Sequence, residues 1–211
     1  VGFKYEGGSD GVTTTFQIDN VYAGTAQGDG GGTTDPEIVE PPFNEDFEAE
    51  TAGTGESVSI NGWTNVNANG GSRVFEVREF DGNKYAQTSA YNSDENPYEA
   101  WLVMPGVDLS NSTSATLSFA TKDGYYNGTA LTTYISTDFD GDVNNATWTE
   151  ITGVTYSTGN TSGYADSFVP SGDIDLSAYA GQTVYVAFQY LGASDGVTST
   201  YQIDNISLTA N

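Results

Sequence analysis

The chain carries the same segment near both of its ends, and any fold assigned to it has to account for that. Residues 1–21 read VGFKYEGGSDGVTTTFQIDNV and residues 186–206 read VAFQYLGASDGVTSTYQIDNI, aligned without a gap. Phe3 matches Phe188, Tyr5 matches Tyr190, and Ser9-Asp10-Gly11-Val12 matches Ser194-Asp195-Gly196-Val197. Gln17-Ile18-Asp19-Asn20 likewise matches Gln202-Ile203-Asp204-Asn205. A match of this kind marks tandem modules. The later copy closes one module, so the earlier copy is read as the closing hairpin of the module before it. Between them Gly24 to Pro42 is rich in Gly and Thr, lacks an apolar period and ends in Pro41-Pro42. That composition reads as a linker, flexible first and stiffer at the prolines. Three segments result: residues 1–22, the C-terminal hairpin of a preceding repeat; residues 23–42, a Gly/Thr/Pro linker; and residues 43–211, one complete module. An isolated hairpin is marginal in water. Residues 1–22 are therefore expected to stay mobile, to pack on their own module, or to pair with the edge of a neighbouring module.

Within the module the apolar period is two. Ala115, Leu117 and Phe119 share one face, as do Val184, Val186, Phe188 and Tyr190, and Leu131, Thr133 and Ile135 alternate more weakly. Ala100-Trp101-Leu102-Val103-Met104 is a continuous apolar run, the pattern of a strand covered on both sides. Turn signals separate these stretches at Asp81-Gly82, Asp123-Gly124, Asn127-Gly128, Asp140-Gly141 and Asp195-Gly196. About ten short strands of this type make an all-β fold, a two-sheet jelly-roll β-sandwich. The closing stretch also changes face. Tyr201 and Ile203 have one parity, Ile206 and Leu208 the other, so a bulge is expected at Asp204-Asn205.

Composition narrows the chemistry. The 29 acidic and 5 basic residues give a formal net charge of −24, which repels phosphate backbones and anionic lipid, so no nucleic acid partner and no membrane insertion are expected. The chain has no Cys and no His. Disulfides, thiolate metal sites and Ser-His-Asp or Cys-His catalysis are excluded. A bound metal would be a hard cation held by oxygen, with calcium the first candidate. No Glu sits in an apolar context that would raise its pKa for glycoside hydrolysis, so the fragment is read as not an enzyme.

Several phrases in order resemble a known family: Phe43-Asn44-Glu45-Asp46-Phe47-Glu48, Gly62-Trp63, Trp101 to Pro105 with Val107-Asp108-Leu109-Ser110, Ala115 to Phe119, Ser136 to Gly141 with Thr147-Trp148, and Ile203-Asp204-Asn205-Ile206. Together, over roughly residues 43–208, they are similar to the choice-of-anchor J or cleaved-adhesin domain of secreted Bacteroidetes proteins, itself MAM-like. The resemblance implies a jelly-roll β-sandwich, export to a secreted or cell-surface location, and a non-catalytic role beside hydrolases, adhesins or carbohydrate-active enzymes. It also implies neighbouring first and last strands tied by structural Ca2+. On that reading Glu48 and Asp204 are the leading ligands, with Glu45 or Asp46 next and a carbonyl near Asp81-Gly82-Asn83 as a further candidate. The alternative is that Asp204 and Asn205 only satisfy backbone donors at the irregularity.

Two other constellations stand out. Asp138-Phe139-Asp140-Gly141-Asp142 has the spacing of a calcium loop, but Val143 and Thr149 occupy the positions where an EF-hand needs Gly and Glu. It is read as an acidic turn with Trp148 packed behind it. Tyr91 and Tyr98 flank a turn-rich stretch, and Tyr125 and Tyr126 lie between two turn signals, as rings that stack on sugars do. These four are the expected ligand-binding residues, while Trp63, Trp101 and Trp148 are expected in the core. Arg73, Arg78 and Lys84 could together meet a sulfate or uronate. The leading expectation is a non-catalytic, calcium-stabilised carbohydrate-binding module of a secreted multi-domain enzyme, with a polysaccharide or other glycan as partner. The alternative is a structural or adhesive tandem repeat that makes protein or cell-surface contacts.

Overall fold

The computed structural model describes residues 36–211. The hairpin at residues 1–22 and its Asp19 lie outside the described residues, as does residues 23–35 of the linker segment. The described chain is almost all strand and turn. In order the strands are β1 (Ile38–Val39), β2 (Phe43–Glu45), β3 (Thr64–Asn67), β4 (Glu76–Phe80), β5 (Asn83–Thr88), β6 (Tyr98–Val103) and β7 (Gly106–Asp108). They continue as β8 (Ala115–Gly124), β9 (Leu131–Ser136), β10 (Thr149–Glu150), β11 (Val169–Pro170), β12 (Ile174–Asp175), β13 (Thr183–Gly192) and β14 (Thr200–Ala210). A single 3-10 turn spans Ser177–Tyr179. Among the described residues no helix is long and apolar enough to cross a membrane.

The strands form two seven-stranded sheets. The first is ordered β1-β7-β13-β6-β3, with β9 on the other side of β13 and β10 beyond it. The second is ordered β11-β8-β14-β5-β4, with β12 beside β8 and β2 beside β14. The two-residue turn Asp81-Gly82 joins β4 to β5, with φ of 54° and 80°, the positive values a tight hairpin needs and Asp and Gly tolerate. Ile38–Val39 lie inside the segment read as linker, yet they pair in parallel with Gly106–Val107. A two-residue edge strand has no period by which a sequence would announce it.

The main core fills the space between the sheets. Leu117 and Phe119 of β8, Tyr201, Ile203, Ile206 and Leu208 of β14, and Val184, Val186 and Phe188 of β13 are all buried in it. Phe119 meets Phe188 edge-on at 5.0 Å between ring centres. The bulge falls where the change of parity puts it: the β14–β8 register shifts between Asp204 and Ser207, with Asn205 at φ 52°. The shift is what returns Ile206 and Leu208 to the core face.

A second, smaller core decides which outer face is free. Ala100, Leu102 and Met104 point to the main core, while Trp101 and Val103 point outward with Tyr185 and Ala187. The segment 137–148 folds over them. Phe139 and Val143 are buried there, and Trp148 lies 5.2 Å from Trp101 and 5.6 Å from Phe139. The continuous apolar run at residues 100–104 is thus a strand covered on both sides. Trp63 packs near Phe43 and Phe47, at 6.0 and 5.9 Å. The first sheet has its outer face roofed by its own loop. The second sheet's outer face is covered in part, with Tyr85, Thr200, Gln202 and Asp204 buried and Phe168 against Tyr85, and it opens around Tyr91, Tyr125 and Tyr164.

Candidate binding face

Strand register fixes what the open face displays. Gln87 pairs with Gln202, and Gln202 with Lys122, so these three lie in one row across β5, β14 and β8. Thr200 pairs with Gly124 in the next row. Side chains two apart on a strand share a face, so the two rows are neighbours on the outer face, where Gln202 and Thr200 are buried and Gln87 and Lys122 partly exposed. Around the end of the Thr200 row lies a groove of about 560 Å³ lined by Gln87, Ser89, Tyr91, Tyr125, Tyr164, Thr198 and Thr200. Three tyrosines rim it, Tyr91 at 66%, Tyr125 at 58% and Tyr164 at 43% exposure. Exposed rings around hydroxyl and amide groups offer flat apolar surface with polar atoms at hand.

The backbone that bears each ring is held in place. Tyr91 sits on a loop clamped by Arg73, whose guanidinium donates to the carbonyls of Ser89 (2.9 Å), Tyr91 (2.7 Å) and Asn92 (3.1 Å). Tyr125 follows the last residue of β8 with φ 50°. Its N–H donates to Gly163 at 2.8 Å, and its ring meets Tyr164 edge-on at 5.5 Å. The loop that bears Tyr164 hangs on Asp123, a carboxylate with no solvent exposure. Ser157 Oγ donates to it at 2.5 Å, Asn160 N–H at 2.9 Å, and the Asn160 side-chain amide also donates. The Asp123 carbonyl accepts from Ala165 N–H at 2.9 Å. Asp123-Gly124 is therefore the end of a strand rather than the turn its composition suggests. A buried carboxylate with three donors is well satisfied and fixes the geometry of whatever supplies them.

Gly124 completes the seat. A Cβ added there would lie 2.7 Å from Cε1 and 3.0 Å from Cγ of Tyr164, inside van der Waals contact. The absent side chain is what lets the Tyr164 ring lie on the strand. Gly124→Ala is therefore expected to lift Tyr164 off the sheet, weakening ligand binding severalfold with little change in melting temperature. Parallel melting and binding curves check this; a variant that binds like the wild type would show that the seat is irrelevant.

Two of the four tyrosines expected at the ligand are elsewhere. Tyr98 is fully buried, 5.4 Å from Tyr190, with its hydroxyl 2.6 Å from Thr88 Oγ1. It opens β6 with the parity of Ala100 and Leu102, which turns it into the core, and burial raises its phenol far above the ordinary value. Tyr126 packs against the main core with its hydroxyl 3.0 Å from Thr129, because its neighbour Tyr125 takes the outward direction. Tyr91 and Tyr125 do rim the groove. Tyr164 was missed: it lies in a Gly/Ser/Thr-rich stretch whose placement depends on Asp123, far away in sequence.

The expected metal ligands lie on and next to β2 and β14. β2 pairs with β14, with Glu45 opposite Ile206, so the strand that opens at Phe43 and the last strand are neighbours. Asp204 is 1% exposed and accepts from Asn83 Nδ2 at 2.9 Å and from Asn205 N–H at 2.7 Å. Burial raises its carboxyl pKa, and the nearby Glu48 and Asp46 charges add to the rise. Glu45 is raised as well, mainly by burial, while its Oε1 accepts from Phe47 N–H at 2.6 Å. Glu48 Oε1 accepts from Lys84 N–H at 2.9 Å, and Asp46 Oδ1 from Glu48 N–H at 3.2 Å. Among the described residues no three acidic side chains gather closely enough to hold a metal ion as they stand. The donor set is all oxygen, the kind calcium takes.

The Asp138 to Asp142 stretch is an acidic turn. Its carboxylates accept from Thr147 N–H (2.7 Å), Asp142 N–H (3.0 Å) and Asn144 N–H (2.9 Å). Hydrogen bonds from Ser136 and Thr147 hold the Asp138 carboxyl below its ordinary range. The three cations weighed for a sulfate or uronate are each engaged by the protein's own oxygens. Arg73 is spent on carbonyls, Arg78 pairs with Glu76 at 3.0 Å, and Lys84 Nζ donates to the carbonyls of Glu48 (2.9 Å) and Glu50 (2.6 Å).

A family model described as Domain of unknown function (DUF5017) matches residues 106–211. No curated protein matches the sequence. Among solved structures the chain is similar to the K2 cleaved adhesin domain of Lys-gingipain (Kgp), with 18% identity over 81% of this chain and 99% of that one and a TM-score of 0.58. It is also similar to the K1 cleaved adhesin domain of Lys-gingipain from Porphyromonas gingivalis W83, with 20% identity over 81% and 98% and a TM-score of 0.52. At these identities the likeness shows the β-sandwich fold alone.

Proposed function

The chain belongs to the family described as a domain of unknown function, DUF5017, and we propose that it serves as a non-catalytic carbohydrate-binding module of a secreted multi-domain protein. The observation that carries this is the groove on the open face, where Tyr91, Tyr125 and Tyr164 surround Gln87, Ser89, Thr198 and Thr200. Apolar sugar faces fit the rings, and sugar hydroxyls fit the amides and hydroxyls. A glycan array spanning plant and marine polysaccharides tests it. The wild type should bind at least one glycan class and Tyr91→Ala should weaken that binding. An array blank for every glycan would remove the proposal.

The repeat at residues 1–21 and 186–206 favours a second reading, a structural or adhesive tandem array. The cleaved-adhesin names of the similar gingipain domains, and the proposed kinship with choice-of-anchor J domains, fit that reading equally well. Binding to protein or cell surfaces with no glycan bound would select it.

The calcium proposal belongs to the same module. Glu48 and Asp204 would hold the ion, with Glu45 or Asp46 as a further ligand, and the ion would supply charge compensation that ties the closing strand to the opening one. Sign decides the pH behaviour. A folded-state carboxyl raised above its unfolded value contributes stability below the unfolded value and loses it as pH rises through the folded one. Asp204 is raised from 3.8 and Glu45 from 4.5, so these two groups favour the metal-free fold more in that acidic window than at pH 7, while the lowered Asp108, Asp138 and Asp175 act in the opposite sense. Calcium should reverse the order by favouring the ionised groups. Melting temperatures with chelator and with calcium at both pH values check this; curves identical with and without the ion would remove the site.

A further inference from the structure

Cations are scarce in this chain, and their placement is informative. The described residues hold four, Arg73, Arg78, Lys84 and Lys122. The first three are engaged by loop carbonyls or by Glu76. Lys122 differs. Among the described residues its ammonium forms no ion pair, and it sits 5.8 Å from the ring centres of both Phe80 and Phe168. Its row on the open face, Gln87-Gln202-Lys122, adjoins the Thr200-Gly124 row on which Tyr164 lies. Rows on one face of a strand are about 7 Å apart. A sugar chain lying in the tyrosine groove and continuing along the strands passes next over Lys122.

We propose, resting on the glycan-binding reading, that the groove takes an acidic glycan whose uronate carboxylate or sulfate ester pairs with Lys122. The two rings hold the ammonium through their π faces, so the charge is placed before the ligand arrives. The net charge of −24 opposes a polyanion from a distance. At physiological ionic strength, however, screening sets in over about 8 Å, and a sugar seated on the sheet reads the nearest charges. Lys122 is itself only partly buried, beside the exposed Phe80.

Affinity electrophoresis of the full chain tests this, with gels containing polygalacturonate, its carboxyl-reduced neutral counterpart, dextran sulfate or dextran. The expected result is stronger retardation by an acidic polymer than by its neutral counterpart. Lys122→Met should weaken it about tenfold, the scale of one charge-assisted hydrogen bond, and Lys122→Arg should recover most of the loss. Retardation by polygalacturonate alone assigns the group as a carboxylate, and by dextran sulfate alone as a sulfate ester. Equal binding of acidic and neutral partners, with Lys122→Met unchanged, overturns the inference and leaves the glycan module standing. No retardation in any gel, together with a blank glycan array, overturns both.

Discussion

Replacing Tyr125 and Tyr164 together with alanine should abolish glycan binding while leaving the sandwich folded. Both rings are more than two-fifths exposed and neither contributes to the main core, so stability has little to lose. Binding has much to lose. Truncating an aromatic anchor at the centre of an interface typically costs about 2 kcal/mol or more, and two such anchors weaken binding by roughly two to three decades. The rings touch at 5.5 Å, so their losses should not add independently. Isothermal titration with the best array ligand, beside a thermal melt, separates the outcomes. A double variant that binds like the wild type would place recognition elsewhere on the molecule.

Removing the carboxylate of Asp123 should be the most damaging single change for stability near the site. Asp123→Ala strands the Ser157 hydroxyl and two nitrogens of Asn160 in a buried place. Orphaned buried donors cost about 1–3 kcal/mol each, so a total near 3 kcal/mol and a fall of roughly 10 °C in melting temperature are expected. The loop from Ser157 to Ala165 would lose its post, and Tyr164 its position over Gly124. Glycan affinity should then fall even where the protein remains folded. Asp123→Asn keeps the shape and one acceptor but turns an amide toward Asn160, so an intermediate loss is expected. Calorimetry on both variants provides the check, and an alanine variant as stable as the wild type would contradict the described role.

Much of the fold was legible because β structure writes itself as period two. The alternation at Ala115 to Phe119, the run covered on both sides at Ala100 to Met104, and the face change at Asp204-Asn205 all correspond to the strands, the roofed sheet and the bulge. The site was legible only in part. Tyr91 and Tyr125 stand beside turn residues and are outward. Tyr98 stands beside the same residues but starts a strand, and a shift of one residue sends a side chain to the other face. Tyr164 depends on the buried Asp123 carboxylate and on Gly124 beneath its ring, whose local signal reads as a turn and says nothing of a ring far along the chain. Lys122 gained its meaning from cross-strand pairing with Gln202, which only register reveals.

Recognition is expected at the tyrosine groove on the second sheet's outer face, because residues 137–148 close the outer face of the first sheet. Chemical-shift mapping by NMR, with a soluble oligosaccharide of the class the array selects, tests it most directly. Shifts concentrated at Tyr91, Tyr125, Tyr164, Gln87 and Thr200, with the Trp148 indole unmoved, are the predicted result. Shifts centred on Trp148 and the 137–148 loop, with the three tyrosines unmoved, would contradict it.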